Sequence, residues 1–185
     1  VFLAKKTRLN GLLQSVAFSP YIVSLASIAL LWMWLMNNDF GFLNALLAVF
    51  GIPAIDWLGS PKFALMSLII INVWKSVGYN ALILVSALQG IPPHLYEAAR
   101  LDRANTWRTF SRITFPMISP TVFFLALVDV IAAFKVFETI QIITQGGPQN
   151  STNTLVFSLY EYGFQFYKVG YAAAIGVVLF FIVLL

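Results

Sequence analysis

The sequence predicts an all-α integral membrane protein, and three observations support this prediction. Of the 185 residues, 60% are hydrophobic and only 10% are charged, whereas a soluble domain has about 25% charged residues. No charged residue occurs between Arg8 and Asp39, a run of 30 residues, and a membrane-spanning helix needs about 20. The remaining charges gather in short polar stretches between apolar runs.

The apolar runs predict one membrane domain that occupies the whole chain. The expected spans lie at residues 1–4 (the end of a span), 17–36, 63–88, 119–139 and 170–185. Because apolar residues reach both ends of the sequence, we expect a fragment of a longer bundle, truncated at both ends.

Basic residues predict the orientation of these spans. Seven of the eleven lie in segments that would face the cytoplasm: Lys5, Lys6, Arg8, Arg100, Arg103, Arg108 and Arg112. The predicted outer loops hold only Lys62 and Lys168, at their ends. Lys and Arg accumulate on the cytoplasmic side of membrane proteins. Residues 89–118 are therefore expected in the cytoplasm and residues 37–61 outside.

The composition excludes several kinds of site. There is no cysteine and the only histidine is His94, so thiol chemistry and a histidine metal cluster are excluded. The sequence contains no phosphate-binding loop of the form G-x-x-x-x-G-K-[ST] and no basic run typical of nucleic-acid binding. We expect a chain that is not an enzyme and binds no metal, cofactor or nucleic acid itself. Energy for any activity would come from a partner or an ion gradient.

The predicted span at 63–88 carries a polar stripe at helical spacing: Asn72, Lys75, Ser76 and Tyr79. A lysine near the membrane centre costs about 2.5–3.5 kcal/mol on insertion scales, so this face should contact protein or water. The stripe predicts either the wall of a polar chamber or a hydrogen-bonded seam between helices. Asp129 lies deep in a later span, and we hypothesise that Lys75 and Asp129 face one chamber, paired directly or through water. The alternative is a buried structural ion pair.

The most polar stretch, residues 95–120, carries a longer motif. Glu97-Ala98-Ala99, position 103, Ile113 and Phe115-Pro116 follow the spacing E-A-A, three residues, G, nine residues, I, one residue, L-P. The chain thereby resembles the permeases of binding-protein-dependent ABC importers. The flanking words LQGIPPHLYEAARLD and ITFPMISP look like the carbohydrate-uptake branch with maltose- and glycerol-phosphate-type permeases. Arg103 replaces the family glycine, which permits backbone angles that arginine resists, and Phe115 replaces leucine.

The resemblance implies a six-span type I importer bundle in the inner (cytoplasmic) membrane of a prokaryote. It also implies that the 89–118 loop holds a coupling helix for a dimer of ABC ATPases, which would use ATP and Mg²⁺. The residues expected at that contact are Glu97, Ala98, Ala99, Arg100, Asp102, Arg103, Ile113 and Pro116. The other implied partners are a similar but non-identical second permease, an extracytoplasmic solute-binding protein and membrane lipid. ATP-driven rocking of the spans would give alternating access.

The resemblance further implies that the stripe, Asp129 and Ala133 line the substrate path. A sugar or oligosaccharide is expected, and Lys75 would suit an acidic one. The competing interpretation is an ion-coupled secondary transporter or channel. Such a protein would also carry charges inside the membrane, but it would not need a charged loop with this spacing.

Overall fold

The computed structural model describes residues 8–184, and every regular element in that range is helical. The α-helices are α1 (Arg8–Ile22), α2 (Leu25–Leu35), α3 (Phe42–Val49), α4 (Pro61–Gln89), α5 (Pro93–Leu101), α6 (Thr106–Thr109), α7 (Phe115–Phe134), α8 (Glu138–Ile143), α9 (Leu155–Tyr160) and α10 (Val169–Leu184). Wider π-helical turns occupy Phe110–Thr114 and Glu161–Gln165. The prediction of an all-α protein is confirmed.

Two helical stretches are long and apolar enough to cross a membrane, Pro61–Gln89 and Thr106–Ile143. The helices Asn10–Ile22 and Leu25–Leu35 would add a third span if they cross together, and α10 is apolar but shorter. The predicted 17–36 span thus contains a break at Val23 and Ser24. The predicted end of a span at residues 1–4 lies outside the described residues, as do Lys5 and Lys6.

Contacts divide the chain into two compact units. Within the described residues, the first unit holds residues 8–22 and 74–129, and the second holds residues 23–73 and 130–184. The predicted cytoplasmic loop at 89–118 lies wholly in the first unit. Much of this loop is helical, because α5 occupies its first half and α6 continues through the π-helical turn into α7.

In both α1 and α7, a proline inside the helix directly follows a serine that compensates for it. Proline has no N–H, so the carbonyl four residues earlier loses its donor. The hydroxyl of Ser19 donates to Val16 O at 2.9 Å, the carbonyl that Pro20 leaves free. The hydroxyl of Ser119 likewise donates to Pro116 O at 2.9 Å, four residues before Pro120. Lipid supplies no hydrogen bonds, so these contacts make proline tolerable in apolar helices.

In the first unit, α1 packs against α4 through a backbone contact at Gly78. A Cβ atom on Gly78 would overlap the carbonyl oxygen of Ala17. Next to this contact, the rings of Tyr21 and Tyr79 stack with centroids 4.5 Å apart and an interplanar angle of 13°. The absence of a side chain at Gly78 therefore lets the two helices approach.

In the second unit, a buried asparagine holds the predicted outer loop together. Asn44 of α3 donates to Asn38 O (3.2 Å) and Ile55 O (3.0 Å), while its Oδ1 accepts from Ile55 N (3.1 Å) and Trp57 Nε1 (2.9 Å). Trp57 packs with a small core formed by Ile28, Met36 and Ile71. One amide side chain thus joins both ends of the loop to α3.

Candidate coupling loop and membrane path

Helix α5 has one exposed face and one inward face. Pro93 occupies its first turn, where the missing N–H costs no helical hydrogen bond, and Arg100 lies in its last turn. Glu97, Ala98 and Arg100 are exposed, whereas only 7% of Ala99 is exposed. The E-A-A motif is therefore split: its glutamate and first alanine are accessible, and its second alanine packs inward.

Arg103 adopts the backbone conformation that favours glycine, with φ of 49°. The Arg103 N–H donates to Arg100 O at 3.0 Å, and the Ala104 N–H donates to Ala99 O at 2.9 Å. This pair of bonds is the Schellman arrangement that ends many helices at a left-handed residue. Asp102 precedes it as the exposed C-cap. Arginine thus keeps a glycine-type turn at the position where the sequence departs from the motif.

The second half of the motif forms the base of α7. The side chain of Asn105 accepts a hydrogen bond from Arg108 N at 2.7 Å and so begins α6. The Phe115 N–H then bonds Phe110 O, five residues back, which widens the helix into a π-turn. Ile113 is half-buried in this turn, and Pro116 is exposed just after it.

A hydrogen bond connects α5 to this base. The hydroxyls of Tyr96 and Thr114 lie 3.2 Å apart, and Thr114 is 3% exposed. Neither residue was predicted from the sequence as a site residue. Their only sequence signal was position, since Tyr96 directly precedes Glu97 and Thr114 directly follows Ile113.

The polar stripe on α4 contains half-buried side chains throughout. The amide of Asn72 donates to Leu68 O at 2.8 Å and accepts from Thr139 Oγ1 at a long 3.5 Å. Both contacts are structural and lie in the second unit. Asn72 therefore has the geometry of a helix–helix seam, which was one of the two interpretations of the stripe.

Asp129 is exposed near the end of the first unit, and its partner is Asn80. Asn80 Nδ2 donates to Asp129 Oδ2 at 2.7 Å, while the Oδ1 of Asn80 is buried without a partner in the described part of the chain. Lys75 is half-buried, and no direct ion pair joins it to Asp129 in this structure. Asn80 was missed as a site residue, although it lies four residues after Ser76 and so extends the same stripe.

Tyr79 and Ala133 have different surroundings. One face of the half-buried Tyr79 ring is covered by Tyr21. Ala133 is exposed near the end of α7, in the second unit. No group of three or more His, Cys, Asp or Glu residues suited to a metal ion occurs among residues 8–184.

Comparison with known proteins identifies the family. The sequence matches the binding-protein-dependent transport system inner membrane component family over residues 1–185. The chain belongs to this family. It is therefore a component of an inner membrane, as predicted, and its family is one of transport components.

Three similar proteins illustrate the relationship. The trehalose/maltose transport system permease protein MalF of Thermococcus litoralis is 32% identical over 187 residues, covering 100% of this chain and 62% of that protein. The sn-glycerol-3-phosphate transport system permease protein UgpA of Escherichia coli is 38% identical over 174 residues, covering 92% and 58%. A crystal structure of a bacterial alginate ABC transporter, in complex with an alginate pentasaccharide-bound periplasmic protein, has a TM-score of 0.87 at 26% identity and covers 99% and 66%.

These comparisons confirm both the resemblance and the predicted permease fold. The chain spans about 60% of the length of the curated relatives it matches. The structural match extends over almost the whole chain, so the helices described above are a part of the permease bundle.

Proposed function

We propose that this chain is the permease subunit of an ATP-driven, binding-protein-dependent importer for a carbohydrate. The observation that carries the proposal is the two-faced helix α5, closed by a glycine-type turn at Arg103, within a chain of the binding-protein-dependent family. This helix offers an accessible face to a cytoplasmic partner, while its other face packs within the first unit.

The exposed residues of α5 are suited to an ATPase groove. Ala98 is small and permits close approach, and Glu97 offers a carboxylate to a basic side chain. Leu101, 85% exposed at the end of the helix, adds apolar area that a partner can bury. Asp102 and Arg103 are exposed beside it. The buried Ala99 and the half-buried Ile113 would hold this surface in place by packing beneath it. ATP and Mg²⁺ would be held by the partner ATPase dimer.

The substrate path in the first unit would be lined by Lys75, Ser76, Tyr79, Asn80 and Asp129. A carboxylate and an amide can accept and donate hydrogen bonds to sugar hydroxyls. Tyr79 can contribute apolar ring surface. Asn72 and Ala133, which the resemblance assigns to the same path, belong to the second unit.

These groups and the names of the relatives support the proposed substrate class. The relatives are named for trehalose/maltose and for sn-glycerol-3-phosphate, and the solved transporter for alginate. We propose a carbohydrate, with Lys75 favouring an acidic one because its ammonium group pairs with carboxylate or phosphate.

The other proposed partners meet different parts of the chain. A solute-binding protein would contact the outer loop that Asn44 organises, and the alginate transporter was captured with such a periplasmic protein. A second, similar but non-identical permease would complete the path, and lipid would cover the exposed apolar helices.

Cysteine crosslinking tests the ATPase contact. The full-length permease carrying Ala98→Cys is assembled with ATPases that carry single cysteines around their groove, with and without ATP. We expect a nucleotide-sensitive crosslink from Ala98→Cys and none from the matched control Ala99→Cys, because Ala99 is buried. Absence of a crosslink in an assembled, active complex would reject the coupling role. Uptake that persists when ATP hydrolysis is blocked would favour an ion-coupled transporter.

A further inference from the structure

The hydrogen bond between Tyr96 and Thr114 joins two elements with different proposed tasks. Tyr96 lies on α5, whose exposed face is offered to the ATPase, and Thr114 ends the π-helical turn that leads into α7. Helix α7 carries Asp129 further along. The two hydroxyls are 3.2 Å apart although the residues are 18 positions apart in the sequence.

The bond lies on the inward face of α5, away from the accessible residues. Tyr96 and Ala99 are three residues apart and share one helical face, and Ala99 is buried. Thr114 is buried too, so its hydroxyl depends on a protein partner rather than on water. The Tyr96 hydroxyl supplies that partner, which makes this bond a directional contact in a largely apolar interface.

The π-helical turn is a point at which α7 can bend or shift. The Phe115 N–H bonds Phe110 O across five residues instead of four, and Pro116 then has no N–H of its own. A helix is held less tightly at such a point and can bend or shift there. Thr114 is the last residue of this turn, directly before the regular part of α7 begins.

We propose that Tyr96 is a positioning residue that transmits movement of α5 to α7 through Thr114. The inference rests on the coupling role proposed above for α5. ATPase closure would displace α5, the bond would carry this displacement to the π-helical turn, and α7 would tilt with it. Tyr96 touches neither the ATPase nor the substrate in this scheme.

The test measures movement of α7 directly. The full-length permease carries Ala126→Cys and is assembled with its ATPases. Ala126 is exposed on α7 and lies three residues before Asp129, on the helical face proposed to line the aqueous path. Labelling by a water-soluble maleimide is followed with and without ATP. In the otherwise unchanged permease, ATP should alter the labelling rate. Tyr96→Phe and Thr114→Val should each reduce this ATP effect by about two- to tenfold, the change expected for one lost hydrogen bond.

Three controls make the result specific. Thr114→Ser keeps a hydroxyl and should retain the ATP effect. Thr109→Val removes a hydroxyl that bonds only Asn105 O of its own helix, and it should leave the effect unchanged. The double variant of Tyr96→Phe and Thr114→Val should be no worse than either single change, because both remove the same bond.

The outcomes separate this inference from the proposed function. If Tyr96→Phe and Thr114→Val leave the ATP effect intact, or if their losses add, the bond does not transmit movement and the inference is wrong. If ATP never alters labelling in the unchanged complex and no ATPase crosslinks to Ala98→Cys, the coupling role itself fails, and the inference fails with it.

Discussion

Asn80 donates a hydrogen bond of 2.7 Å to Asp129, which joins α4 to α7 within the first unit. A hydrogen bond to a charged group contributes about 1.5–3 kcal/mol, so this pair stabilises the contact between the two helices. Asp129 remains exposed, and its second carboxylate oxygen can meet a substrate hydroxyl.

Exchanging the amide and the carboxylate between positions 80 and 129 should preserve the hydrogen bond, whereas changing position 80 alone should break it. Asn80→Asp places two carboxylates together, and we expect uptake by the reconstituted full-length importer to fall at least about tenfold. Combining Asn80→Asp with Asp129→Asn restores an amide–carboxylate pair and should recover much of the uptake rate. A double variant as inactive as Asn80→Asp would show that the two residues do not act as a pair.

Replacing Lys75 should change substrate preference more than total uptake. Lys75→Met removes the charge proposed to favour acidic substrates. We expect uptake of an alginate oligosaccharide or of glycerol phosphate to fall at least about tenfold relative to maltose.

The matched control is Lys62→Met, at the start of the same helix α4 and exposed. It should leave the ratio of acidic to neutral uptake unchanged. Equal losses of acidic and neutral uptake in Lys75→Met would contradict a role in selecting charge.

Gly78 should tolerate no side chain. A Cβ there would overlap the backbone carbonyl of Ala17, and backbone cannot rotate away as a side chain can. We expect Gly78→Ala to destabilise the packing of α1 on α4 by about 1–3 kcal/mol, measured as a lower midpoint of thermal aggregation in detergent. Gly11→Ala, also in a helix of this unit but with open space around it, should not lower the midpoint.

Arg103→Gly should tighten the end of α5. Arg103 holds φ of 49°, a conformation that costs a non-glycine residue about 1 kcal/mol. Hydrogen exchange of the Ala104 amide, which bonds Ala99 O, should therefore slow by roughly fivefold. Arg103→Val should accelerate exchange, since a β-branched residue resists this conformation most. Faster exchange in Arg103→Gly would mean that the arginine side chain itself stabilises the turn.

Asn44→Ala should loosen the outer loop. The substitution removes four hydrogen bonds and leaves Trp57 Nε1 without its acceptor, at a cost of about 1–3 kcal/mol for a buried group. We expect proteolysis within residues 38–57 to accelerate, while the exposed neighbour Asn38→Ala leaves it unchanged. Proteolysis at the parent rate in Asn44→Ala would show that the loop is held by apolar packing instead.

The sequence by itself determined the membrane class, the helical fold and the family. Apolar content, charge placement and motif spacing are properties of the linear chain, so the spacing from Glu97 to Pro116 could be recognised without coordinates. Helical periodicity also placed Asn72, Lys75, Ser76 and Tyr79 on one face, because residues three and four apart are neighbours in any α-helix.

Only the tertiary structure decided what those faces contact. Periodicity does not give the rotation of the neighbouring helix, so the hydrogen bond from Asn80 to Asp129, 49 positions away, was not predicted. The same limit hid the inward direction of Ala99 and the bond between Tyr96 and Thr114. The backbone conformation of Arg103 could not be predicted from the sequence for another reason. Arginine by itself disfavours a positive φ, and the two hydrogen bonds that end α5 hold it there.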